Sequence, residues 1–118
     1  YGHVSEPETL WLDSLNIPKE NRSYVIKRND KKAVVDGFDP ITNTVYEFYG
    51  DYWHGNPSIY KSDDLNKDAH KTHGQLYQKT LEKEAWLKFH GYNIVSIWES
   101  DWNAQVKANK LKDKLNAI

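Results

Sequence analysis

The sequence predicts an α/β domain whose elements run in the order αβββαβα. Three local observations carry that expectation. A β-branched and aromatic stretch doubles back on itself between Ala33 and Tyr49. Two segments, at Ser5 and at Thr72, open with helix-capping signals. An apolar run from Tyr92 to Trp98 follows the second of these helices directly after a glycine.

Taken in order, Ser5-Glu6-Pro7-Glu8 fits a capping box, with Ser5 as N-cap, Pro7 in the first turn and Glu8 at the third helical position. Leu10, Trp11 and Leu15 supply the apolar stripe of that helix, and Asn16-Ile17-Pro18 ends it. Ser23 to Arg28 is expected as a first strand, pairing with residues 32–38. Val34 and Val35 lead into Asp39-Pro40-Ile41-Thr42, which suits a type I turn with Asp first and Pro second, and Asn43 tolerates a left-handed conformation after it. Thr44 to Tyr49 returns as a strand of β-branched and aromatic residues. Residues 58–71, SIYKSDDLNKDAHK, read as a polar loop able to order on a nucleic acid. Thr72-His73-Gly74-Gln75 resembles a second capping box, opening a helix that ends at Gly91 and covers the sheet with Leu76, Thr80, Leu81, Trp86 and Leu87. Tyr92 to Trp98 is then a buried strand, and Asp101 to Asn116 a final helix.

The hairpin carries the chemistry. If Asp39 pairs with Thr44 across the turn, Asp36 faces Glu47, and directly opposed residues share a face with Cβ atoms about 4.5–5.5 Å apart. Like charges placed there repel. Either the pair is solvated, or it is offset by a divalent cation, since Mg²⁺ commonly takes one or two carboxylates and completes its shell with water and phosphate oxygens. A one-residue slip of register would send Glu47 to the other face. Gly50-Asp51-Tyr52-Trp53-His54-Gly55-Asn56-Pro57 follows, a turn-forming segment that sets a histidine a few residues past Glu47. His54 is either a packed ring or a group able to move protons near neutral pH.

The string VDGFDPITNTVYEFYGDYWHGNP, together with GYNIVSIWE at 91–99, resembles the PD-(D/E)XK nuclease superfamily. Within it the chain looks most like the branch of the very-short-patch mismatch repair endonuclease and the phage-encoded EDxHD homing endonucleases. The resemblance runs from roughly Ser5 to Trp102. It implies a restriction-endonuclease-like core, a mixed four-stranded sheet flanked by helices. By position, Asp36 falls on the metal-binding aspartate, and Glu47-Phe48-Tyr49 on the acidic-x-lysine tripeptide, in which the acid and the middle carbonyl bind metal. His54 matches a histidine that follows tryptophan in the repair enzyme, and Glu8 matches a glutamate at the start of the first helix that joins the metal site. Tyr49 stands where most of the superfamily has lysine, which leaves His54 as the proton-transfer group. Asp51 and Ser100 stand where the repair branch carries zinc-binding cysteines, so no structural zinc is expected, although the EDxHD pattern gives Asp51 a catalytic alternative. Thr80 falls near the aspartate that partners the repair enzyme's histidine.

The resemblance therefore implies a Mg²⁺-dependent endonuclease, with Mn²⁺ able to substitute, that cuts double-stranded DNA site-specifically as the catalytic domain of an intron-associated homing endonuclease. A mismatch-repair nicking enzyme and a catalytically silent DNA-binding or assembly module on the same fold are the alternatives. One copy or a homodimer on DNA satisfies the pattern, in a cytoplasmic setting of a phage or its bacterial host.

Composition bounds this reading. The 118 residues fill one domain, 1–118, and Tyr1 in place of an initiating methionine is read as the cut end of a longer protein with a separate DNA-binding region. Five Trp and eight Tyr supply core volume, and the absence of cysteine fits an intracellular protein. No segment is apolar enough to span a membrane, and no partner of that kind is expected. A net charge of −1 and a pI near 6.6 argue against a dedicated DNA-binding module. The local basic groups are Lys27, Arg28, Lys31 and Lys32 beside the hairpin, taken as DNA contacts, and Lys107, Lys110, Lys112 and Lys114 on the last helix, taken as a solvated face. Tyr52 and Trp53 are candidates to wedge between base pairs, or to pack. His70 and His73 straddle the start of a helix and are not read as a metal pair.

Overall fold

Each predicted element forms, and most for the predicted local reason. The computed structural model describes residues 4–118; Tyr1, read as a cut end, lies outside them. Ser5 caps helix α1 (Glu6–Ser14) by accepting the Glu8 N–H at 3.3 Å. Strands β1 (Arg22–Arg28), β2 (Lys31–Asp39) and β3 (Thr44–Tyr49) follow, and then a single helical turn, α2 (Asp51–His54). Thr72 and Gln75 form the full reciprocal capping box of helix α3 (His73–Phe89). A strand, Asn93–Trp98, and a last helix, Glu99–Asn116, complete the chain. The segment read as the polar loop 58–71 instead carries a two-stranded ribbon, Leu65–Asn66 with Lys71–Thr72, which runs one residue past its end. These short strands are β4 and β5, which makes the 93–98 strand β6 and the last helix α4.

The sheet has the order β1-β2-β3-β6. β2 is antiparallel to both β1 and β3, whereas β6 runs parallel to β3, as the long helical crossover requires. The turn works as the sequence implies. Asp39 Oδ1 accepts the Ile41 N–H at 2.9 Å, Asn43 takes a φ of 55°, and Asp39 pairs with Thr44.

Both faces of the sheet are covered. Ile26, Val35, Phe38 and Val45 pack with Leu87 and Tyr92 on the α3 side. Phe48 packs with Trp11, Leu12 and Ile17 on the other, where Trp102 of α4 joins them. The helix α1 turns differently from the predicted stripe. Leu12 is fully buried with Trp11, while Leu10 and Leu15 face out. The reason is Gly37, where a Cβ would stand 3.0 Å from Leu12; the bare backbone lets α1 lie against β2 one residue from Asp36. That close approach carries Glu8, on the same helical face, toward the hairpin acids.

Three further expectations are corrected. β6 is half-exposed rather than buried, with Asn93, Val95 and Ser96 open to solvent, because it is a sheet edge. Leu81 is exposed, and α3 instead turns Leu76, Thr80, Lys83 and Leu87 toward the body, the spacing of one helical stripe. α4 begins at Glu99, two residues early, directly off the strand. Among the described residues no helix is long and apolar enough to cross a membrane.

Candidate functional site

The regular β2–β3 ladder runs from Asp39–Thr44 to Gly37–Tyr46 and then gives out. At the next pair the two acids occupy the gap. Glu47 Oε1 accepts the Asp36 N–H at 3.0 Å, and Asp36 Oδ2 accepts the Phe48 N–H at 2.7 Å. Each carboxylate thus replaces a backbone carbonyl of the ladder and binds the opposite strand. The predicted register is correct and the acids do face each other, but their repulsion is offset first by these N–H donors and by a cation the sequence reading did not include. Lys83 of α3 reaches Glu47 Oε2 at 2.9 Å and donates to the Val34 carbonyl at 2.7 Å. A charged residue within the helix stripe Leu76, Thr80, Lys83, Leu87 was the available signal, because a lysine aimed at a sheet requires an acidic partner there.

These groups line a cavity of about 690 Å³ together with Glu8, Phe48, Tyr52, Trp53 and His54. Glu47 is 2% exposed and Glu8 9%. Burial, followed by the Glu47 charge, lifts the Glu8 carboxyl from 4.5 to about 7 against the opposing pull of Arg22. Burial and the neighbouring acid likewise raise Asp36 and Glu47, with Lys83 and the backbone donors acting the other way. Three acids that resist ionisation therefore share one cavity with one lysine.

His54 closes the C-terminal end of α2. Gly55, at φ 63°, ends that turn, and a Cβ on it would stand 2.0 Å from the His73 carbonyl, so α2 rests directly on the start of α3. This contact sets His54 Nδ1 3.0 Å from Thr80 Oγ1, and Thr80 Oγ1 lies 3.1 Å from the Leu76 carbonyl. Thr80 has one hydroxyl hydrogen. Both contacts are hydrogen bonds only if it points to Leu76 and Nδ1–H donates to Thr80, which makes Nε2 the basic nitrogen. Burial, reinforced by the Lys83 charge, lowers His54 to about 4.

The remaining predicted residues are placed as follows. Tyr49 is buried, stacks its ring near His54 and Trp98 and donates its hydroxyl to Glu84, so it does not line the acidic cavity. Asp51 also lies outside that cavity. Its Oδ1 accepts from Asn56 Nδ2 at 2.8 Å and from Ser100 Oγ at 3.1 Å, which ties α2 to the start of α4. Asp51 and Ser100, at the positions matched to cysteines, are thus joined by one direct hydrogen bond. Tyr52 and Trp53 line the cavity and contact each other edge to face at 5.2 Å, and Tyr52 donates to Asp68. Lys27, Arg28, Lys31 and Lys32 do not line it; Arg28 lies over the Tyr92 ring and Lys31 over Trp86. His73 is buried and stacked on Tyr60, while His70 sits at a φ of 56° before the helix.

Asp36 and Glu47 present carboxylate oxygens to the cavity that Phe48 also lines, and oxygens of this kind are what a hard cation such as Mg²⁺ takes as ligands. Among the described residues no group of three or more His, Cys, Asp or Glu side chains is gathered to enclose an ion. A cation here would complete its shell with water and ligand oxygens, as Mg²⁺ commonly does. No family model, curated protein or solved structure matches this chain.

Proposed function

We propose that the chain is a metal-dependent DNA endonuclease domain that hydrolyses phosphodiester bonds in double-stranded DNA. The observation that carries this reading is the interlocked pair of half-buried Asp36 and buried Glu47, in the wall of a cavity that Glu8, Lys83 and His54 also line. A purely structural site gains nothing from three acids in one cavity wall that raise one another's pKa, whereas a site awaiting a cation and a phosphate does. The same argument weighs against a silent binding module.

Mg²⁺, or Mn²⁺ in its place, held by Asp36, Glu47 and the Phe48 carbonyl, would supply Lewis-acid stabilisation of charge on the scissile phosphate. The chain's own groups do the rest. Lys83 keeps Glu47 oriented and sets a positive charge beside the phosphate position. Glu8 adds a third acid to the cavity wall and acts through water. His54 is neutral at physiological pH, so it takes a proton from the attacking water at Nε2 and does not serve as the acid. Thr80 holds the imidazole in that tautomer. The sequence resemblance extends the proposal to a site-specific homing endonuclease whose affinity for its target comes largely from outside this domain.

The test is incubation of the domain with supercoiled plasmid at low salt, with Mg²⁺, with Mn²⁺ and with EDTA, beside Asp36→Asn. Metal-dependent cutting that the variant loses is the expected result. Cutting that persists in Asp36→Asn, or no cutting by a folded, metal-supplied domain, removes the proposal.

A further inference from the structure

A second cavity, of about 280 Å³, opens between α2 and α3 on the other side of His54. Its walls are mainly apolar: the rings of Tyr49, Trp53 and His54 and the aliphatic Leu76, with Lys79 and Lys83 bordering it. Thr80 reaches into it but is already bonded to His54 and Leu76. Glu47, Trp53, His54 and Lys83 border both cavities, so a strand whose phosphate lay over Asp36 and Glu47 would pass beside the second opening.

Lys79 borders that opening, and Lys71 of β5 lies near enough to Lys79 for the two like charges to oppose each other, which pushes Lys71 downward in pKa. Among the described residues the ion pairs are Arg22–Asp13 and Lys83–Glu47, and neither includes Lys71 or Lys79. Two neighbouring lysines, Lys79 exposed and Lys71 half-exposed, beside an aromatic slot match a phosphate and a base of one nucleotide.

We infer that the α2–α3 cleft is a nucleotide subsite, which receives one unpaired base from the strand being cut while Lys71 and Lys79 hold an adjoining phosphate. The inference rests on the nuclease reading for the direction of the strand, but the cleft itself is tested by binding alone. A base stacked in an intact duplex cannot enter a slot of this kind. The base that fills it has left the stack or lies in a bulge or single-stranded end, where unstacking costs least.

The experiment uses the Asp36→Asn chain in EDTA, so that nothing is cut, and two fluorescent duplexes of one sequence, fully paired and with a single unpaired base. Anisotropy titrations should give about tenfold tighter binding to the second. Leu76→Trp, which fills the cleft, should abolish that preference and leave the paired duplex unaffected. The double variant Lys71→Ala/Lys79→Ala, in which neither replaced side chain is buried, should reduce the preference and lower the slope of log affinity against log salt by about one. Equal binding of both duplexes, or a preference that survives both variants, overturns the subsite. Plasmid cleavage by the unmodified chain is scored separately, so a chain that cuts without preferring an unpaired base loses only the subsite, and one that prefers it without cutting loses only the nuclease reading.

Discussion

Replacing Glu8 with Gln should raise stability and lower activity together, an outcome that separates a functional acid from a capping one. The Glu8 carboxyl is 9% exposed and is lifted from 4.5 to about 7, chiefly by burial and then by Glu47. In the unfolded chain it ionises at its ordinary value. Between those two pH values the folded state keeps a proton that the unfolded state releases, so stability falls as pH rises through the interval and the full loss is present above 7. The gap from 4.5 to about 7, at about 1.4 kcal/mol per pH unit, bounds the loss at about 3 kcal/mol, and water in the cavity screens part of it. Gln cannot ionise and escapes the loss. In EDTA at about pH 8 the variant should be more stable by about 2 kcal/mol, and at about pH 5 the two chains should nearly coincide. Urea denaturation at both pH values reads this directly, with parallel m-values as the control. Mg²⁺ should close the gap at the higher pH by stabilising the unmodified chain. Parallel stability curves across the range would show that Glu8 ionises like a surface acid, and the view of Glu8, Asp36 and Glu47 as one electrostatic unit would fail.

Other substitutions probe the supports of the site. Lys83→Met removes the cation that favours the ionised Glu47, so its cost should grow as pH rises, toward about 3 kcal/mol in alkaline solution where the buried carboxylate is charged, and shrink in acid where Glu47 holds a proton; urea denaturation at two pH values checks it. Thr80→Asp sets a carboxylate beside His54 Nδ1 and should move the histidine's titration upward from about 4 in an NMR pH series, whereas an unchanged titration would remove Thr80 as its partner. Asn56→Ala breaks the Asp51–Asn56–Ser100 network and leaves Asp51 with one fewer donor, at a cost of about 1–3 kcal/mol, while the cleavage rate of the folded fraction stays unchanged. A large drop in that rate would return Asp51 to the catalytic set.

What was legible in the sequence was chemistry confined to a few neighbouring residues. Asp39 and Asn43 build the turn themselves, and so the register that opposes Asp36 to Glu47 could be read. Thr72 and Gln75 cap α3 by bonding each other across three residues. What was not legible depends on how finished elements dock. The rotation of α1, which buries Leu12 and exposes Leu10 and Leu15, follows from the space left by Gly37 on a strand 25 positions later. Lys83 meets Glu47 only once α3 is laid across the sheet, 36 residues on. Lys27, Arg28, Lys31 and Lys32 were read as DNA contacts because they flank the hairpin in sequence, and the structure lays Arg28 and Lys31 over aromatic rings.

The interlocked acids also decide how the central claim can be tested. Asp36→Ala is the obvious variant for removing a metal ligand, but Asp36 Oδ2 is the acceptor of the Phe48 N–H in a strand where Phe48 is 5% exposed. Alanine would leave that donor buried without a partner, at about 1–3 kcal/mol, in the strand that carries Glu47. A loss of cleavage in that variant could then come from a displaced Glu47 as easily as from a missing ligand. Asparagine keeps an oxygen to accept the Phe48 N–H while removing the charge, so the strand geometry survives and the ligand does not. The contrast gives its own expectation. Asp36→Asn and Asp36→Ala should be equally inactive, yet only the alanine variant should lose stability relative to the parent in EDTA, and the asparagine variant should gain it near pH 8, because one of the repelling buried charges is gone. Equal destabilisation by both would mean that the Asp36 charge itself holds β2 to β3, and the acids would then be a structural clasp rather than a site kept under strain for a cation.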